Sequence, residues 1–197
     1  IINLSGYIDH RLFYEGGNDV INNHFESLKN ILMFLNKNKL KKFIQIGSSD
    51  EYGQSKAPQS EDLREMAISP YSFSKIASTH LLQMLNLTES FPCLILRPFI
   101  IYGPKQKKDR FLPQIILSCL KNKKFSTSLG NQIRDFCYID DTIDAIILSI
   151  KSKYSNGIIL NIGTGSPVKV IDIINKVRRK IGKGKPQIGK IKLRKNE

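Results

Sequence analysis

Short apolar runs alternate along the chain with longer segments in which apolar residues recur every three or four positions. The runs predict buried strands, and the longer segments predict helices that pack through one face. The predicted strands occupy 1–4, 42–46, 93–98 and 157–162. The predicted helices occupy 20–35, 70–90, 111–120, 139–150 and 168–181.

The order of these elements predicts the fold class. Strand and helix alternate through the first half of the chain, which is typical of an α/β protein with a doubly wound parallel sheet. Ligands bind beyond the carboxyl ends of the strands in such sheets, and Gly6, Ser48 and Phe99 each follow a predicted strand. The pattern loosens after Pro104. We therefore predict a first domain at 1–104 and a smaller lobe, intermixed with the last sheet strands, at 105–197.

The composition is ordinary for a globular protein except for its charge. The 197 residues are 41% hydrophobic and 24% charged, which is enough for a sizeable core. The net charge of +14 comes from lysine clusters without interleaved aromatic residues, so we predict solvated surfaces and no nucleic-acid partner. The chain has no apolar stretch of membrane-spanning length and no signal-peptide pattern at its start. We expect a cytoplasmic protein with no membrane partner.

Tyr71 and Lys75 carry the clearest chemistry. They stand four positions apart in the helix predicted to begin at Ser69 and Pro70, so their side chains share one face. At ~4 Å and an effective dielectric of ~20, an ammonium stabilises a phenolate by ~4 kcal/mol, which lowers the phenol pKa by ~3 units. Such a phenol can exchange a proton with an alcohol while a hydride leaves the same carbon. The pair therefore predicts an acid/base group for oxidoreductase chemistry.

A second tyrosine precedes a lysine at the same spacing, as expected by chance in a chain with seven tyrosines and many lysines. Tyr52 and Lys56 flank Gly53 and come shortly before Pro58. This segment predicts a turn in which the two side chains do not meet. The Tyr71 pair is the one we interpret as functional.

Several polar residues have two interpretations. Ser48 is a catalytic hydroxyl or the cap of a turn, and Arg134 binds a ligand or pairs with Asp135 at the surface. Asp140 and Asp141 resemble a metal-binding pair, but we predict that they cap a helix and that the protein has no metal site. Three widely spaced cysteines predict buried, reduced thiols.

Six segments together resemble the extended short-chain dehydrogenase/reductase superfamily, in its NAD-dependent nucleotide-sugar epimerase/dehydratase branch. The segments are NLSGY, GSSDEYG, SPYSFSK, LRPFIIYGP, RDFCYIDD and NIGTG. Each one is weak alone, but their shared order and spacing cover nearly the whole chain. The resemblance implies a Rossmann-like fold, NAD or NADP as cofactor with NAD favoured, and a nucleoside-diphosphate sugar as substrate. Members of the family often form dimers, so a homodimer is a further expectation.

The resemblance also implies roles for individual residues. Ser48 would hydrogen-bond the reacting sugar oxygen, Tyr71 would exchange its proton, and Lys75 would lower the Tyr71 pKa and hold the nicotinamide ribose. The residues expected near the cofactor are Ser5, Gly6, Asn23, Tyr71, Lys75, Pro98 and Phe99. The residues expected near the substrate are Ser49, Asp50 and Arg134, the last as a clamp on the diphosphate.

Two departures from the family pattern bear on the reaction. The 4,6-dehydratases usually carry a glutamate two positions after the catalytic Ser or Thr, whereas Glu51 stands three positions after Ser48. This departure favours an epimerase or a 4-keto-sugar reductase. Ile100 stands where many members have an asparagine that contacts the diphosphate, so that contact is not predicted here.

The glycine-rich turn that opens a dinucleotide-binding fold is missing from the sequence, and Ile1 lies inside a predicted strand. The simplest interpretation is a fragment whose partial sheet lacks the first strands. Two alternatives to an active enzyme remain open at this point. They are a truncated, non-catalytic family member and a basic RNA-binding protein.

Overall fold

A computed structural model describes residues 1–193 and shows strands and helices alternating along the chain. The strands are β1 (Ile2–Asn3), β2 (Phe43–Ile46), β3 (Cys93–Pro98), β4 (Ile100–Tyr102), β5 (Lys124–Ser126), β6 (Ile133–Arg134), β7 (Phe136–Tyr138), β8 (Asn156–Ile162), β9 (Val168–Lys169) and β10 (Lys185–Gln187). The α-helices are α1 (Gly17–Ile21), α2 (Ser27–Phe34), α3 (Pro70–Glu89), α4 (Phe111–Leu120), α5 (Ile139–Lys151) and α6 (Val170–Ile181).

The chain divides into two compact units. The first unit contains Ile1–Pro98 and Ile143–Ile162, and the second contains Phe99–Thr142 and the described residues from Gly163 onward. The cofactor and substrate roles assigned from the sequence to 1–104 and 105–197 remain predictions, and residues 194–197 of that lobe lie outside the described residues.

A parallel sheet forms the centre of the first unit. Within the described residues its strand order is β1, β2, β3 and β8, and all neighbouring pairs are parallel. Every residue of β3 is buried, which is why its first four residues form a continuous apolar run rather than an alternating one. Parallel strands place their carboxyl ends at one edge, so the segments after β1 and β2, with Gly6 and Ser48, leave from the same edge as predicted. The predicted α/β class is confirmed.

Helix α3 has local signals at both ends. The Ser69 hydroxyl accepts a hydrogen bond from the Ser72 amide at 3.1 Å, and Pro70 occupies the first helical position. Ser90 ends the helix in the left-handed conformation. Leu82 of α3 and Leu28 of α2 meet Phe43 and Cys93 of the sheet in the buried core. Packing against the sheet thus holds α3 along its length.

The predicted helix at 20–35 is interrupted. The structure has α1, then a π-helical turn at Asn22–Glu26, then α2. A π turn adds one residue to a helical turn, and an apolar periodicity does not reveal a single inserted residue. One consequence is that His24 is buried at 5% exposure.

The second unit is built from short strand pairs and two helices. Strands β4 and β7 are parallel, as are β5 and β10, while β6 and β9 are antiparallel. Helices α4 and α6 pack through a core that includes Ile115, Cys119 and Ile174. Helix α4 has the predicted bounds. The helix predicted at 168–181 begins two residues later than predicted, because its first two residues pair with Ile133 and Arg134 and form β9.

Asp140 and Asp141 do not cap α5. The helix begins at Ile139, so both carboxylates lie in its first turn, where they interact favourably with the helix dipole. Across residues 1–193, no three His, Cys, Asp or Glu side chains are grouped as a metal ion would need.

The cysteine prediction is confirmed, because Cys93, Cys119 and Cys137 are buried and free. In the part of the chain that the structure describes, no helix is both long enough and apolar enough to cross a membrane.

Candidate active site

Tyr71 and Lys75 lie together on the buried face of α3. Tyr71 is 5% exposed and Lys75 is 6% exposed. The Lys75 Nζ lies 5.8 Å from the centre of the Tyr71 ring, as expected for side chains one helical turn apart. The competing pair does not share a helix, because Ser49–Tyr52 forms a 3₁₀ turn that ends at Gly53. The structure thus supports the predicted choice between the two motifs.

Lys75 connects α3 to the edge of the sheet. Its Nζ donates a hydrogen bond of 2.9 Å to the carbonyl oxygen of Ile46, the last residue of β2. Burial lowers the pKa of Lys75 to about 8, and the Glu51 carboxylate opposes this effect. The ammonium is therefore weakly solvated, so it interacts more strongly with a neighbouring negative charge than an exposed lysine would.

Ser48 lies two residues beyond the Lys75 contact and caps the 3₁₀ turn. Its Oγ accepts a hydrogen bond of 3.2 Å from the Asp50 amide, and its own amide donates to Glu51 Oε1 at 2.8 Å. The Ser48 hydroxyl has no acceptor among residues 1–193, so its proton is available to a ligand. Both interpretations of Ser48 are therefore compatible, since a residue that caps the turn can also present a hydroxyl donor.

A buried ion pair that the sequence did not reveal supports this turn. The Arg97 Nε donates to Glu51 Oε2 at 2.9 Å, and both side chains are fully buried. Arg97 also pairs with Glu65 at 2.6 Å, and its guanidinium lies 4.8 Å from the centre of the Tyr52 ring. Thr79 of α3 donates to the same Glu51 oxygen at 2.8 Å. Glu51 thus joins the Ser48 turn to α3 and to β3.

Two histidines without an assigned role in the sequence analysis lie against Tyr71. The His24 ring centre lies 5.3 Å from that of Tyr71 and the His10 ring centre 5.5 Å, both edge to face. Burial, together with the Lys75 ammonium, lowers the pKa of His24. The π turn that buries His24 is the feature that places it here, and the apolar pattern contains no indication of that turn.

The residues predicted near the cofactor occupy the segments after β1 and around the π turn. Asn3 Oδ1 accepts hydrogen bonds from the Ser5 amide and hydroxyl at 3.1 and 2.6 Å. Gly6 has a φ of +124°, and a Cβ there would lie 2.4 Å from a ring carbon of His24. Asn23 is exposed and donates to the Tyr7 hydroxyl at 3.2 Å. These positions are compatible with ligand binding, but their cofactor roles stay predictions.

The other predicted site residues are divided between the two units. Ser49 and Asp50 are partly exposed in the 3₁₀ turn, and Asp50 pairs with His10 at 3.4 Å. Pro98 is buried at the end of β3 in the first unit. Phe99 and Arg134 belong to the second unit, and their predicted roles are not tested by the geometry of the first.

Arg134 lines a cavity of about 660 Å³ in the second unit. Aromatic residues form part of its wall, and several lysines contribute charge around it. The residues that line the cavity include Phe111, Phe125, Phe136, Lys121, Lys123 and Arg134. A concave, largely apolar site with a few cations suits a ligand that joins a ring to an anionic group.

Asp135 next to Arg134 holds the glycine turn that follows β8. Its carboxylate accepts hydrogen bonds from the Thr164 amide at 2.9 Å and the Gly165 amide at 2.8 Å. A Cβ on Gly163 would lie 2.9 Å from the Asp135 carboxylate. The Gly163–Gly165 segment is therefore a tight turn closed by a side chain.

Comparison with known proteins identifies the family. A sequence model described as the NAD dependent epimerase/dehydratase family matches residues 1–163. The chain belongs to this family, as the resemblance of its motifs predicted.

Individual relatives agree with this assignment. A dTDP-D-glucose 4,6-dehydratase of Dictyostelium discoideum is 31% identical over 81% of this chain and 38% of its own length. An uncharacterised UDP-glucose epimerase of Bacillus subtilis is 26% identical over 77% of this chain and 48% of its own. A solved UDP-glucuronic acid 4-epimerase of Bacillus cereus, in complex with UDP-glucuronic acid and NAD, superposes with a TM-score of 0.85. It is 29% identical, and the match covers 94% of this chain and 60% of that one. The chain thus spans less than two thirds of these proteins.

Lys75 fits the nicotinamide cofactor that the family name implies. Its ammonium carries three N–H donors, and among residues 1–193 only one of them is used, by the Ile46 carbonyl. Two donors remain for the hydroxyls of a ribose. The buried Tyr71 beside it carries a phenol, a group that can exchange a proton with an alcohol.

Proposed function

We propose that this chain is the catalytic part of an NAD(P)-dependent enzyme that acts at C4 of a nucleoside-diphosphate sugar. One observation carries the proposal. Helix α3 presents Tyr71 beside a buried Lys75, and Lys75 is bound to the strand end that leads into Ser48. Family membership and the NAD complex of the related 4-epimerase support it.

In the proposed reaction Tyr71 and Ser48 act on the sugar 4-oxygen, and Lys75 acts on Tyr71. Tyr71 takes the proton from the 4-hydroxyl, or returns it, and the Lys75 ammonium stabilises the phenolate form. The Ser48 hydroxyl donates a hydrogen bond to the same oxygen and fixes its position. A bound nicotinamide would supply the hydride acceptor at C4 in the oxidation and the hydride donor in the reduction.

The position of Glu51 supports an epimerase or a reductase more than a 4,6-dehydratase. A dehydratase needs an additional acid that reaches the sugar, and the dehydratase pattern places a glutamate close after the catalytic Ser or Thr. Here Glu51 is fully buried and bound by Arg97, so it does not face a ligand. Asp50 is the remaining acid of the turn, and it pairs with His10.

The cavity of the second unit is our candidate for the nucleoside diphosphate. Its aromatic wall suits a nucleoside, and a planar, permanently charged guanidinium such as that of Arg134 suits a diphosphate. The solved relative binds UDP-glucuronic acid, which supports a UDP-linked sugar as the first substrate to try.

Turnover with defined sugars tests the proposal. The protein is incubated with NAD or NADPH and with UDP- and dTDP-linked sugars, and the configuration and oxidation state at C4 are followed by NMR. We expect inversion or reduction at C4 for at least one sugar. If none reacts although the protein binds both a nicotinamide cofactor and a sugar nucleotide, the proposal is wrong.

Arg134 is predicted to contribute to the affinity for UDP. Because a hydrogen bond to a charged group contributes about 1.5–3 kcal/mol, Arg134→Met should weaken UDP binding by about tenfold or more in calorimetric titrations. Arg179→Met removes an exposed arginine of α6 and serves as the matched control. Equal UDP affinities for the two variants would remove Arg134 from the binding site.

Lys75 is predicted to titrate at a pH far below that of an ordinary lysine. Burial disfavours the ammonium form of Lys75. In protein with ¹³C-labelled lysine, the chemical shift of the Lys75 side chain should therefore change with pH around a pKa of about 8. The Lys75→Arg variant identifies the resonance by its loss. The pKa of a lysine in the unfolded chain is 10.5, so between pH 8 and 10.5 the unfolded chain binds more protons at position 75 than the folded protein does. The contribution of Lys75 to the free energy of unfolding should therefore rise with pH in this window. A resonance that shifts only near the ordinary lysine pKa would contradict the burial of Lys75.

We also propose a cytoplasmic location and a homodimer, in agreement with the expectations from the sequence. Exposed apolar side chains on α2 and α3 support the dimer, among them Met33, Phe34 and Leu87, at 79%, 89% and 84% exposure.

A further inference from the structure

The buried Glu51 carboxylate binds groups outside its own 3₁₀ turn as well as one within it. One carboxylate oxygen accepts the Ser48 amide at 2.8 Å. The other accepts Thr79 Oγ1 at 2.8 Å and Arg97 Nε at 2.9 Å. Gly47 leaves room for this carboxylate, since a Cβ on Gly47 would lie 2.4 Å from Glu51 Oε1.

These contacts connect the elements that hold the proposed catalytic groups. Ser48 is bound through its own amide, and Thr79 stands one helical turn beyond Lys75 on α3. A shift of Glu51 would therefore move the Ser48 turn relative to the helix that carries Tyr71 and Lys75. Misplacement of catalytic groups by about 1 Å can reduce a rate by about 100-fold.

From this geometry we propose that Glu51, held by Arg97, is a positioning residue that sets the Ser48 turn against α3 for the reaction. The inference rests on the proposed function for the identity of that reaction. Stability alone does not account for the pair, because apolar residues of similar volume often replace a buried ion pair without loss of stability.

Glu51 has a second effect, through charge. The groups that face the Lys75 ammonium are Tyr71 on the same helix, His24 from the π turn and Glu51 from the 3₁₀ turn. The Glu51 carboxylate favours the charged form of Lys75, which is the form that stabilises a Tyr71 phenolate. A neutral residue at position 51 removes this support.

The test replaces Glu51 by glutamine, which keeps the shape and the two acceptor contacts of Oε2. The substitution removes the charge, and its NH2 group cannot accept the hydrogen bond from the Ser48 amide. We expect the Lys75 resonance to titrate below the wild-type pKa of about 8. We also expect kcat to fall by about 100-fold, with KM within about twofold of wild type. Glu89→Gln is the matched control, because Glu89 is exposed at the end of the same helix and pairs with Lys37.

A second variant keeps the test decisive if Glu51→Gln does not fold. In the double variant Glu51→Gln/Arg97→Met the guanidinium is also removed, so positions 51 and 97 carry no buried charge, and only the partly exposed Glu65 loses its pairing with Arg97. The same fall of the Lys75 pKa is expected in this protein. A Lys75 pKa equal to that of wild type in a folded variant would overturn the inference.

The two proposals fail in different ways. If the wild-type protein turns over no nucleotide sugar, the proposed function fails, whereas the Lys75 titration in the Glu51 variants is measured without any substrate. If the wild type is active and a folded Glu51→Gln keeps its kcat, the positioning role is wrong and the proposed function stands.

Discussion

Replacing Tyr71 by phenylalanine is expected to lower kcat by about 10²- to 10⁴-fold, the range that general acid/base catalysis contributes. The variant loses only the phenolic oxygen, so the ring contacts with His10 and His24 remain. The affinity for the sugar nucleotide should stay within about twofold of wild type, because the missing group acts mainly in the transition state. Steady-state kinetics and calorimetric binding measure the two effects separately.

Tyr52→Phe is the control for this prediction. Tyr52 belongs to the other Tyr-x-x-x-Lys motif, and its hydroxyl donates a hydrogen bond of 2.7 Å to Asn161. Loss of this bond should cost about 1 kcal/mol of stability and leave kcat within a few-fold of wild type. Turnover by Tyr71→Phe at the wild-type rate would end the assignment of Tyr71 as the acid/base.

Replacing Arg97 by methionine is expected to destabilise the protein by about 3–5 kcal/mol. Arg97 is fully buried between Glu51 and Glu65, so its removal leaves both carboxylates without the guanidinium that pairs with them. One of these, Glu51, has no access to water. Urea unfolding followed by circular dichroism gives the change in the free energy of unfolding.

Lys37→Met is the matched control for Arg97→Met. Lys37 pairs with Glu89 at 3.1 Å, but about half of each side chain is exposed. Exposed pairs contribute about 0–1 kcal/mol, so this variant should unfold close to the wild-type urea concentration. Equal midpoints for the two variants would show that the Arg97 cluster does not stabilise the fold.

Elements with strong local patterns were predicted well. Strand β3 and helix α4 have the bounds that the sequence indicated, because each coincides with a short, mainly apolar segment. Helix α3 begins as predicted because Ser69 and Pro70 are both specific for a helix start. The helix predicted at 20–35 is present, but a π turn inside it changes its phase by one residue.

The candidate site was predicted in part. Tyr71 and Lys75 are four residues apart in one helix, so their contact follows from helix geometry alone. Ser48 was predicted from the family resemblance, and the structure places its turn against the same helix through Lys75 and Ile46. The Glu51 and Arg97 pair was not predicted. Those residues are 46 positions apart, and no periodicity links a turn to a strand at that separation.

The sequence by itself determined the α/β class, the helix that carries Tyr71 and Lys75, and the family, because each depends on local spacing or on ordered motifs. The tertiary structure decided which polar residues surround that pair. His24 comes to Tyr71 through a π turn, and Glu51 comes to Thr79 and Arg97 when helix and strand pack against each other. The pKa of Lys75 was likewise decided by packing, since it depends on how much water and which charges remain around the ammonium once the chain has folded.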